Sequence, residues 1–351
     1  MRRIASLVAG ALLAAAPLGA QGVTGMLARA FDLEREQRWA EAAAAYGQVL
    51  AADPANVNAV LGAERVYTEL GRRDSILAIV ARALEADPTH AVLRTVEVRT
   101  ARARGGEAAA VEAIGRWMAA VPRSAAPWRE LVQVLLGTGE VEQAREAVGE
   151  ARRRLGDTTA LAAELAQAEQ ASGDWGRAAS AWQVAVAREP AEAGAAVLRL
   201  RLAPPDQRER VLRTLLETDA APPARRAAAE LLLLWGQPDR AWGVLEPALP
   251  REPGPRRAAL TQFADRARVR GEPAARRVAA AALELLASEA EPGAALDLRL
   301  EAARLFADAG DAPAARRLLR AVAEGPGSSR AVAVRAAAAL IEVAAREGNA
   351  E

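Results

Sequence analysis

Hydrolases and transferases of the common kinds need a nucleophile beside a base, a phosphate cradle, or metal ligands at metal spacing. The chain offers little of this. It has one histidine, His90, just after Pro88, and no cysteine, so thiolate nucleophiles, disulfides and Cys or multi-His metal sites are excluded together. Paired carboxylates such as Glu140 with Glu142, or Glu189 with Glu192, are the remaining candidates for acid–base chemistry. They fall at helix starts and turns, where acids are expected to be solvated or to complement the helix dipole. No glycine-rich phosphate loop is present; Gly105-Gly106 falls where a turn is needed.

Two residue types stand out. Seven of the few aromatic residues are tryptophan, and Trp175 with Trp182, like Trp235 with Trp242, are spaced to share a helix face. Such pairs could form a sugar or peptide platform, but a core role is the simpler expectation. Every basic side chain is arginine, and 46 of them face 45 acids. Without Arg2 and Arg3 the balance is 44 against 45, which argues against a nucleic-acid binder.

Elements that could position these residues are helical. Alanine and arginine dominate, and β-branched runs of the kind that make strands are missing. Residues 1–20 carry the order of an export signal: Arg2-Arg3, the apolar run Ile4 to Ala16, and the small-residue stretch Pro17 to Ala20. The run is short for a membrane span, and no cysteine follows it for lipidation. The mature protein is therefore expected to begin near Gln21, to have no integral span, and to be periplasmic or extracellular.

From there a ruler of 34 residues organises the chain. Pro54, Pro88, Pro122 and Pro190 lie on it, with Gly156 at the position between the last two, and Gly71, Gly105, Gly139 and Gly173 lie on a second ruler of equal spacing. Glycine ends a first helix, a second helix follows, and proline or glycine closes the unit.

This period, the mid-repeat glycine and the closing proline resemble the tetratricopeptide repeat. With repeats starting at Val23, Val57, Ala91, Ala125 and Thr159, the family's small position holds Ala42, Ile76, Ala110, Ala144 and Ala178. Its large apolar position holds Tyr46, Val80, Ile114, Val148 and Trp182, and Trp128 also falls in register. Departures are Glu64 and Val98, where a small residue is usual, and Trp117. The resemblance implies an all-α solenoid, a right-handed superhelix of antiparallel helix pairs. Five repeats are expected over 23–192, a short degenerate pair over 193–221, further repeats over 222–329, and a C-terminal capping helix and tail over 330–351.

The family's ligand groove is lined by first-helix positions that map here to Asn58, Arg65, Arg99, Arg102 and Arg129. Four guanidiniums in one groove would favour an acidic peptide or a terminal carboxylate; pairing of each with a glutamate of a neighbouring repeat is the competing expectation. The carboxylate clamp of the chaperone-binding members is not matched, because Leu27, Phe31, Val96, Ala126 and Glu130 occupy its positions. The resemblance thus implies a non-catalytic scaffold that binds a protein or peptide without cofactor or metal, in envelope assembly or secretion. Competing readings are an accessory subunit of an envelope glycan-processing enzyme and a structural, oligomerising spacer.

Overall fold

A computed structural model describes residues 18–348 apart from 218–219 and 326–327. The described residues form eighteen α-helices and no strand. The export signal lies outside the described residues except for its last three, which begin the first helix. None of the described helices is long and apolar enough to cross a membrane.

The chain divides into two compact units, Met1–Ala160 and Leu161–Glu351. The first contains α1 (Leu18–Arg35), α2 (Trp39–Ala52), α3 (Val57–Glu69), α4 (Arg73–Ala86), α5 (Ala91–Ala120), α6 (Ala126–Gly137) and α7 (Val141–Leu155). The second contains α8 (Ala162–Ala171), α9 (Trp175–Arg188), α10 (Ala193–Leu200), α11 (Arg208–Leu215), α12 (Pro222–Leu234) and α13 (Pro238–Leu245). It continues with α14 (Pro253–Arg270), α15 (Pro273–Ser288), α16 (Pro292–Asp308), α17 (Ala312–Glu324) and α18 (Arg330–Gly348).

Turns within the pairs share one chemistry. Gly71, Gly139, Gly173, Gly236 and Gly310 all have φ between 68 and 81°, which lets the following amide reach back to the carbonyl five residues earlier. The bonds Arg72 N–Tyr67 O, Glu140 N–Leu135 O, Asp174 N–Glu169 O and Asp311 N–Phe306 O close that motif at 2.8 to 3.0 Å. Gln37 fills the same place in the first pair, with φ of 58° and the equivalent Arg38 N–Leu33 O bond.

One expected turn moves. Helix α5 runs through Gly105 and breaks at Gly106, whose φ of 70° and ψ of −160° are not helical. Gly105 is required for contact instead: a Cβ there would stand 2.8 Å from that of Ala109.

The repeat positions form the core. Ala42, Ala110, Ala144 and Ala178 are fully buried, as are Tyr46 and Val80, and Ile76, Ile114, Val148 and Trp182 are nearly so. Alanine here lets paired helices approach closely, while the large residue fills the gap to the next helix. Trp182 belongs to the apolar core of the second unit and Trp175, Trp235 and Trp242 are partly buried against it, so each tryptophan pair contributes to packing.

Candidate functional site

His90 is the N-terminal cap residue of α5, half-buried, with its Nδ1 removed from water and without a partner among the described residues, rather than a freely solvated turn residue. Glu140 and Glu142 begin α7, and Glu142 pairs with Arg145. Glu189 caps and Glu192 ends a single 3-10 turn after α9. These acids occupy helix ends.

In the first unit, the first helices of successive pairs gather ion pairs into a polar cleft of about 600 Å³. Arg65 on α3 grips Glu34 on α1 with two bonds, Nε to Oε1 at 2.6 Å and Nη2 to Oε2 at 3.0 Å. One repeat on, Arg99 on α5 grips Glu64 on α3 in the same way, at 2.7 and 2.5 Å. The acids lie deep, with side chains 16% and 15% exposed, and the guanidiniums at the rim are about half exposed. Glu64, a departure from the family pattern, is thus the partner of the next repeat's arginine. The hydrogen bond from Arg65 holds the Glu34 carboxyl below its ordinary pKa against the opposing effect of burial, with Tyr46 helping. The same carboxylate raises Arg65, and Glu64 raises Arg99.

Of the five predicted groove residues, only Arg65 and Arg99 line this cleft. Asn58 is exposed at the start of α3. Arg102 turns to Glu107, 2.8 Å away, and Arg129 is exposed on α6. Cross-repeat pairing continues in the second unit, where Arg240 meets Glu209, Arg268 meets Glu301 and Arg317 meets Glu284. Part of the arginine complement is therefore used to tie neighbouring helix pairs. Thr100 is a buried polar group in the cleft whose hydroxyl has no partner among the described residues. Thr68 and Thr95, by contrast, donate to the carbonyl four residues back.

A further pairing was not legible in the sequence. Arg94 and Glu97 are buried together; Arg94 bonds the Pro88 carbonyl and Glu97, and Arg116 from the second half of α5 reaches the other Glu97 oxygen. This network staples α5 across its own break.

The second unit presents a different surface. Leu198 on α10, Leu234 on α12 and Val269 on α14 line one cleft of about 610 Å³ with Arg201, Arg266 and Arg270. Leu198 is 55% and Val269 84% exposed. These helices each open a pair, and the three residues are spaced by 36 and 35, about one repeat length apart. The cleft's acids are neutralised, Glu230 by Arg266 and Asp265 by Arg268, whereas Arg201 has no ion-pair partner among the described residues. Arg270 lies 3.7 Å from Glu272, so the surface is apolar along its centre with the Arg201 charge at its rim.

Taken together, these are helix-pair repeats whose first helices carry the exposed surfaces. Residues 33–98 match the family model for the tetratricopeptide repeat, so this stretch carries tetratricopeptide repeats. No curated protein matches the sequence. Among solved structures, the MamA protein is similar at 20% identity over 50% of this chain and 96% of that one, with a TM-score of 0.34. A thermophilic tetratricopeptide repeat protein of Thermus thermophilus is similar at 18% identity, over 52% and 98% of the two chains, with a TM-score of 0.36. One from Parabacteroides merdae is similar at 10% identity, over 92% and 99%, with a TM-score of 0.35.

Proposed function

We propose that the protein is a non-catalytic interaction scaffold, exported and acting in envelope assembly or secretion, that binds an amphipathic helix of a partner protein across α10, α12 and α14. The observation that carries this reading is the exposed aliphatic row Leu198, Leu234 and Val269. Neighbouring packed helices are about 8–10 Å apart, and seven residues of a ligand helix advance about 10.5 Å. A partner helix with aliphatic residues at a seven-residue spacing would therefore place one beside each member of the row. A carboxylate flanking that stripe would meet Arg201, the charge complementarity that sets orientation and speeds encounter. Preformed helices supply the surface without an ordering cost on the scaffold side.

The test is a photo-crosslinking residue at Leu202, beside the row, in the native host. A discrete partner should be captured, and capture of that partner should be lost in Leu234→Asp with Val269→Asp. Capture that survives both changes at unchanged helicity would reject the surface.

The Arg65–Arg99 cleft supports a second reading, an acidic segment bound in the first unit, because the two guanidiniums stand about half exposed at its rim. Arg65 and Arg99 still have N–H groups beyond those engaged by glutamate. Reversal of both arginines would then weaken binding in a salt-dependent manner, while binding indifferent to reversal and salt would leave them as ties between repeats.

A further inference from the structure

Helix α18, the last described helix, is apolar on two sides. Its inner face, Val332, Ala336, Ala339, Leu340 and Val343, packs on the core of the second unit. On the opposite side Ala331, Val334, Ala338, Ile341 and Ala345 are all exposed, with Val334 at 62% and Ile341 at 71%. Their steps of three, four, three and four residues average 3.5, the period of a two-helix seam with alanine at one core position and a β-branched residue at the other. Alanine at alternate layers lets a second backbone approach closely.

We propose that this stripe is a dimer interface with a second copy of the same chain, formed by α18 against α18 in antiparallel orientation about a twofold axis. The flanking charges fix the partner and the direction. Arg335 and Glu342 each follow a large seam residue and so occupy equivalent flanking positions seven residues apart. In an antiparallel pair Arg335 of one copy faces Glu342 of the other, and symmetry supplies the contact twice. A parallel pair would bring Arg330 of one copy against Arg335 of the other, two like charges. Within one copy these groups are available: Arg335 approaches Asp297 only to 3.9 Å, and Glu342 has no ion-pair partner among the described residues. One helix per copy makes a small interface, so the dimer is concentration-dependent. The inference is independent of the partner surface on α10, α12 and α14.

The experiment is sedimentation of the full chain over a concentration series. The mass should double as concentration rises, and Val334→Glu with Ile341→Glu should hold it at the monomer value with circular dichroism unchanged. Arg335→Glu alone should lower dimer affinity at least tenfold, and adding Glu342→Arg should restore it, a rescue that general loss of folding cannot produce. The chain has no cysteine, so single cysteines report direction. Val334→Cys should not crosslink to itself, whereas Val334→Cys mixed with Ala345→Cys should. A chain monomeric throughout the series, a dimer untouched by the double glutamate variant, or efficient Val334→Cys self-crosslinking would overturn the proposal.

Discussion

The ring of Tyr46 lies so close over Gly62 that a Cβ added to the glycine would stand 2.2 Å from the tyrosine Cζ. Helix α3 can therefore cross α2 only with glycine at that point, and the crossing delivers the Tyr46 hydroxyl to Glu34, which Arg65 grips from α3. Packing and the polar cleft are one construction.

Gly62→Ala should accordingly destabilise the protein by about 1–3 kcal/mol, the usual cost of overpacking. In a Tyr46→Ala background the same change should become neutral or favourable, because alanine is the better helix former by roughly 0.8–1 kcal/mol. Denaturant melts of the four combinations measure this; a Gly62→Ala penalty unchanged without the tyrosine ring would refute the contact.

Gln37 adopts a left-handed conformation that glycine takes in most of the other pairs. A non-glycine residue there costs about 1–2 kcal/mol, offset by glycine's extra chain entropy of about 0.5–1 kcal/mol. Gln37→Gly should stabilise the first unit by roughly 0.5–1 kcal/mol, read as a rise in melting temperature, and a fall would contradict the assignment.

Much of this architecture was legible beforehand because glycine and proline punctuate it: both rulers mark where helices end. The one-residue shift from Gly105 to Gly106 was not, since two adjacent glycines can each carry a turn and only the contact with Ala109 decides between them. Gln37 was missed because its side chain gives no sign of a left-handed backbone. At the site, spacing placed Arg65 and Arg99 together, but residue type alone could not show that Glu34 and Glu64 already hold them. The row Leu198, Leu234 and Val269 escaped notice because the 34-residue register slips after Glu192.

Glu34 has a folded-state pKa below its ordinary value of 4.5, chiefly through Arg65. Its stabilising contribution is complete above the unfolded value and is lost as pH falls through the lower folded one. Stability of the first unit should thus decline on acidification below about pH 4.5, and Glu34→Gln should flatten that decline. An identical acid limb in wild type and variant would show that Glu34 plays no part in it.

The aliphatic row, rather than the arginine ties, is proposed to carry recognition. The most direct measurement is titration of the captured partner against wild type, Leu234→Asp with Val269→Asp, and Arg65→Glu with Arg99→Glu. Loss of the apolar contacts should weaken binding by at least tenfold, about 1.4 kcal/mol, while the arginine reversal changes it little. Binding abolished by the arginine reversal and indifferent to the aspartates would contradict this and move the site to the first unit.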